Sequence, residues 1–123
     1  MRNDEPSCRL SLNDLRLKVR LGCGAEERAA VQEVSFDLSI RFPRLPEGSR
    51  SDELEGTICY GALSEKLRAL CESREFKLIE HLGWEAYRLL EPGPDHGLWL
   101  RVTKLKPPVP DLLGGASFEL GEK

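Results

Sequence analysis

Two runs of strict alternation restrict this chain more than anything else in it. In "LRLKVRL", Leu15, Leu17, Val19 and Leu21 take one parity while Arg16, Lys18 and Arg20 take the other. "VSFDLSIRF" repeats the pattern with Val34, Phe36, Leu38, Ile40 and Phe42. Period two over such lengths predicts half-buried strands, with one face on a core and one face wet. The link between them, "GCGAEERAAVQ", is short, so the pair reads as a long antiparallel hairpin with an elaborated tip.

The rest of the chain changes period. "PRLPEGSRSDELEG" is a polar, Pro- and Gly-bearing loop. Thr57 then reads as the N-cap of a helix whose stripe is Tyr60, Leu63, Leu67, Leu70 and Cys71. A second helix lies in "FKLIEHLGWEAYRLL", with Leu78, Ile79, Leu82, Ala86, Leu89 and Leu90 on one face. "EPGPDHG" ends it, "LWLRVTK" is a third strand and "ASFEL" a short fourth. The order β-β-α-α-β-β predicts an α+β fold of two layers, an antiparallel four-stranded sheet with both helices on one face. The expected domain is a single one over 1–123, with disordered tails at 1–8 and 121–123.

Composition removes several function classes. With 40% apolar and 32% charged residues over 123 positions, the chain can build a core without disulfides or a structural metal. A net charge of -3 disfavours a nucleic-acid partner or an anionic membrane surface. No apolar run approaches the length of a membrane span. Two histidines make a histidine-built zinc site an unexpected feature. The four cysteines are widely spaced, with no CxxC pair and no secretory leader, so they read as reduced thiols of a cytoplasmic protein. A small metabolite or another protein surface is the expected partner. Two long alternating strands at the sheet edges would also invite pairing with further copies, so a homo-oligomer is expected.

Four residues stand out. Glu80, Trp84 and Tyr87 share the side of the second helix opposite its apolar face, which implies a covered surface holding a carboxylate. Such a carboxylate suits a paired donor, an amino-pyrimidine edge or an arginine fork. Lys104 continues the inward parity of Leu98, Leu100 and Val102 at a strand end, either as a snorkelling rim residue or as a lysine that holds water or an oxyanion. Glu27 lies in the hairpin tip, where a solvated carboxylate is equally natural. Tyr60 is either core or a hydroxyl aimed out of the helix start.

The segments "SDELEGTICYGAL", "FKLIEHLGWEA" and "VTKLKPPVPDLLGGASFEL" together resemble the dihydroneopterin aldolase family, over about residues 10 to 120. The resemblance implies the tunnelling fold, assembled as tetrameric rings or as octamers of two stacked rings. It implies metal- and cofactor-free retro-aldol cleavage of dihydroneopterin in folate biosynthesis. Glu80 would grip the pterin amino group and ring N–H, with Ile79 beside it in the binding site. Glu27, Lys104 and Tyr60 would be catalytic. Tyr60 would come from a neighbouring subunit, as would the backbone around Ile58 and Cys59 that lines the pocket.

The chain departs from the family pattern in places. Arg20, Leu21 and Gly22 stand where many members have Tyr-His-Gly, Cys59 replaces a histidine, and Asp111 a glycine. The tip "RLGCGAEER" is similar to the sister dihydroneopterin triphosphate epimerases, for which Arg16, Lys18, Arg20 and Lys106 would supply cations. A third reading is a non-catalytic pterin-binding scaffold.

Overall fold

A computed structural model of the chain describes residues 5–123. Strand β1 spans Arg9–Val19, and a one-turn helix, α1, Ala25–Arg28, forms the hairpin tip before β2, Gln32–Arg41. The polar loop holds a second short helix, α2, Gly48–Ser51, and a 3-10 turn at Leu54–Gly56. The long helices α3, Tyr60–Ser73, and α4, Ile79–Leu89, follow; β3, Gly97–Lys104, and β4, Ala116–Gly121, close the fold. All four strands pair antiparallel in the order β1-β2-β3-β4, with α3 and α4 on one face. The α+β two-layer architecture is the expected one; α1 and α2 are additions too short to show a period.

The core lies where the alternation puts it. Leu17, Val19, Val34, Phe36, Leu38 and Ile40 are buried against Leu63, Leu67, Leu82, Ala86, Leu100 and Val102. β1 starts earlier than its alternating run. Leu10 and Leu12 belong to it, but the register to β2 shifts between Leu12 and Leu15, and Asp14 sits there at φ 57°. This bulge flips the parity and hides the first half of the strand from a period-two reading. The Asp14 N–H donates to Asp37 Oδ1 at 2.8 Å, while its carboxylate accepts from Arg16 Nε at 2.5 Å and Ser35 Oγ at 2.6 Å. Arg16 first, then Ser35, hold the Asp14 carboxyl below the usual carboxylate range.

The face away from the helices is polar but not open. Ser35 and Ser39 are buried, and Trp99 is only 5% exposed. Trp99 Nε1 donates to Glu119 Oε1 at 3.0 Å, and Arg101 bridges Asp37 at 3.4 Å and Glu119 at 3.9 Å. Charged side chains lying flat across the strands cover this face with their stems.

Other boundaries move for local reasons. Thr57 is not the cap of α3. It ends the 3-10 turn in extended geometry, and α3 begins at Tyr60 behind Cys59, whose side chain makes no capping bond. Of the expected tails, Met1–Asp4 lie outside the described residues. Glu5 pairs with Arg50 at 2.7 Å, the Cys8 carbonyl accepts the Phe42 N–H at 3.1 Å, and Gly121 still pairs with Trp99. All four cysteines are free, and burial pushes the Cys71 thiol up to about 12. Among the described residues no helix is long and apolar enough to cross a membrane.

Gly83 costs α4 about 1 kcal/mol of helix propensity relative to alanine. Its reason is contact: a Cβ there would stand 2.9 Å from Phe118 Cδ2 and 3.4 Å from Val102 Cγ1. The missing side chain lets α4 lie directly on β3 and β4. Gly83→Ala therefore gains about 1 kcal/mol of propensity but loses about 1–3 kcal/mol to overpacking. Chemical denaturation should show a net loss; a gain would mean that Phe118 yields without cost.

Candidate active site

Lys104 is the last residue of β3, opposite Val34, on the parity of Leu98, Leu100 and Val102. The prolines that follow stop the ladder, so the side chain remains at the end of the core with 13% of its surface exposed. Its Nζ lies 2.5 Å from Oε2 of Glu27, which is 27% exposed. Glu27 reaches it from α1, so the hairpin tip folds over the end of β3. Two opposite charges in contact at a half-dry site attract more strongly than the same pair in bulk water.

The start of α4 comes to the same place. The Tyr87 hydroxyl donates to the Leu98 carbonyl at 3.2 Å, and Gly83 lies over Val102. The helix thus runs antiparallel to β3. Stepping back from Gly83 to Glu80 covers about 4.5 Å, and from Val102 to Lys104 about 6.6 Å. Ile79 and Glu80 therefore start the helix near Lys104. Leu78, the residue before α4, is extended and offers no side-chain cap. The first-turn amides are donors that a ligand carbonyl or anion could use. The connection is pinned nearby: Phe76 N–H donates to the Arg20 carbonyl at 2.9 Å, and Gly22 N–H to the Phe76 carbonyl at 3.0 Å.

One expectation fails within a single chain. The Glu80, Trp84 and Tyr87 face was expected to be covered, yet Glu80 is exposed and Trp84 is 48% exposed. Trp84 and Tyr87 stack on each other at 6.4 Å, and only Tyr87 is half-buried. Among the described residues, α4 packs onto β3, β4, α3 and the connection at Arg74 and Phe76, and none of these covers the carboxylate.

Tyr60 is not core either, despite sharing the stripe of Leu63 and Leu67. It is 63% exposed at the start of α3, beside a recess formed by Leu10 to Leu15 of β1. Cys59 is exposed, and Ile58 packs partly on the core. This group sits at the opposite end of the sheet. From Leu12 to Leu17, the β1 residue level with Lys104, is roughly 15 Å along the strand. Within one chain Glu27 touches Lys104 and the start of α4, with Ile79 and Glu80, lies toward the same end of the sheet, while Ile58, Cys59 and Tyr60 stand apart.

The basic row is mostly committed. Arg16 pairs with Asp14 at 2.5 Å and Glu33 at 3.6 Å, and Arg20 donates to the Arg28 and Ala29 carbonyls. Lys106 does share a recess with Arg16, as the sequence allows. The tip also contains an arginine with no sequence signal of its own, Arg28, whose side chain is 15% exposed and turned inward. Its acceptors are mainly backbone carbonyls, which no residue pattern reports.

A family model described as "FolB: Dihydroneopterin aldolase" matches residues 10–120. The chain belongs to the dihydroneopterin aldolase family. It is 30% identical to the "Probable dihydroneopterin aldolase" of Chlamydia trachomatis over 118 residues, 94% of this chain and 95% of that protein. With the dihydroneopterin aldolase of Staphylococcus epidermidis it shares 25% identity over 111 residues, 89% of this chain and 91% of that one. The crystal structure of E. coli dihydroneopterin aldolase in complex with neopterin superposes with a TM-score of 0.80 at 17% identity, covering 94% of this chain and 99% of that chain. The fold is that of these aldolases, the tunnelling fold, and the chain is a carbon–carbon lyase of this family.

The Lys104–Glu27 contact can be weighed directly. In a double-mutant cycle with Glu27→Gln and Lys104→Met, urea unfolding should give a coupling of about 1 kcal/mol or more, above the range usual for exposed pairs. Additive losses would mean the two groups do not interact in solution.

Proposed function

We propose that this aldolase cleaves 7,8-dihydroneopterin between the first two side-chain carbons, releasing glycolaldehyde and 6-hydroxymethyl-7,8-dihydropterin. The observation that carries the reading is the half-buried Lys104–Glu27 pair beside the uncapped start of α4, with Glu80 in its first turn. Glu80 accepts the pterin amino group and ring N–H, and the Ile79 segment lies against the ring. The second side-chain hydroxyl loses its proton through water held by Lys104 and Glu27. As the carbon–carbon bond breaks, the hydroxyl carbon becomes the aldehyde of glycolaldehyde. The bonding electrons pass to the carbon next to the ring and into the ring C=N. Tyr60 then supports return of a proton to that carbon. The substrate carries its own electron sink, so the protein's work is positioning and proton transfer.

Because Tyr60, Ile58 and Cys59 stand at the far end of the sheet, the complete site joins two chains. A ring closed through the β1 and β4 edges, alone or stacked as an octamer, would bring the halves together and cover Glu80 and Trp84. The compartment is the cytoplasm, where reduced thiols such as these persist. Commitment of Arg16 and Arg20 to partners within the chain gives the triphosphate-epimerase reading less support than the aldolase reading.

Incubation with dihydroneopterin should release glycolaldehyde; inversion at the side chain without cleavage would favour the epimerase, and binding without turnover the scaffold. Glu80→Ala should weaken pterin binding at least about tenfold by removing a charged acceptor. Unchanged affinity would remove that assignment.

Native mass spectrometry should find a multiple of four subunits. A monomer that still turns over would contradict the shared site.

A further inference from the structure

We propose that Arg28, acting with Gly22, is a positioning residue that seats the Glu27 carboxylate against Lys104. The inference rests on the reading that this pair carries the chemistry, and it addresses how the pair is held. α1 has four residues and no side-chain cap. A single turn does not hold itself, since the few backbone hydrogen bonds of one turn barely offset the cost of nucleation. Something outside the helix must fix Glu27.

The residue next to Glu27 does so. Nη1 of Arg28 donates to the Gly22 and Cys23 carbonyls, both at 2.9 Å, and Nε donates to Glu75 Oε1 at 3.1 Å. One planar guanidinium thus ties α1 to the chain entering the tip and to the α3–α4 connection, which Phe76 joins to Arg20 and Gly22. Glu75 is 57% exposed, so its ion pair alone contributes little. The two carbonyl bonds, both from Nη1, set the geometry, and the guanidinium plane carries Nε to Glu75 on its other side.

Gly22 completes the seat. A Cβ at this position would collide with the Glu27 carboxyl group, so the carboxylate occupies the space that a side chain would take. It is held between the Gly22 backbone on one side and Lys104 on the other. The strand frame does not depend on this brace, because the Phe76 bonds and the Gln32 Nε2 bond to the Leu21 carbonyl at 2.6 Å stand without it.

Two measurements test the proposal. For turnover of dihydroneopterin, Arg28→Met should lower kcat about 10- to 100-fold, as expected for a misplaced catalytic group, with KM within about threefold. In a Glu27→Gln background the same change should cost almost nothing further, because Arg28 acts through Glu27; multiplicative losses in kcat would overturn the proposal. Independently of turnover, acylation of Lys104 by acetic anhydride, read by peptide mass spectrometry, should rise severalfold in Glu27→Gln and equally in Arg28→Met and Gly22→Ala. A rise in Glu27→Gln alone would overturn the proposal. Gly22→Ala gives the same readout should Arg28→Met fail to fold, since the flexible Glu27 side chain can swing away from the new methyl. Absence of glycolaldehyde from the wild type would sink the aldolase reading, and the acylation result would still decide the role of Arg28.

Discussion

A lysine that continues the buried parity of a strand past its last apolar residue must either snorkel to water or meet a counter-charge. In this chain it meets one. Lys104 stays at the end of the core because the hairpin tip brings Glu27 to its ammonium group. That contact relates the first two strands to the third at the point where regular pairing ends, and it sets the chemical character of the surrounding surface. The uncapped start of α4 reaches the same corner through two packing facts, the glycine that lets the helix lie low on the sheet and the Tyr87 bond to β3.

On the function proposed above, the two ends of the sheet would serve different halves of one chemistry. At one end are the Lys104–Glu27 ion pair and the exposed Glu80 carboxylate. At the other, Tyr60 and Cys59 lie open on the surface, with Ile58 half-buried beside them. Strand length keeps these groups apart within a chain, so the proposed site would need a neighbouring copy to unite them. Among the described residues, the outer edges of β1 and β4 also stand without a strand neighbour, and the face around Glu80 and Trp84 is bare. The proposed ring would meet all three features of the single chain.

Legibility followed locality. The core parity, the two long helices and the inward lysine could be read because each is a repeat along the chain. The first half of β1 could not, since the bulge at Asp14 reverses its parity. Thr57 looked like a cap because composition shows the residue type but not the turn it ends. Tyr60 shared a stripe with Leu63 and Leu67 yet lies beyond the core, because α3 begins at that residue.

By itself, the sequence determined the layer architecture, the identity of the buried faces and the residue types available for the chemistry, since periodicity and side-chain chemistry are properties of neighbours along the chain. Only the tertiary structure decided that Glu27 touches Lys104, that Arg28 and Gly22 brace that contact, and that Glu80 stands uncovered in one chain. Each of these depends on where a loop or helix end lands after some tens of residues. Hydrogen bonds to backbone carbonyls and the space left by an absent side chain decide such placements, and neither leaves a mark in the order of amino acids.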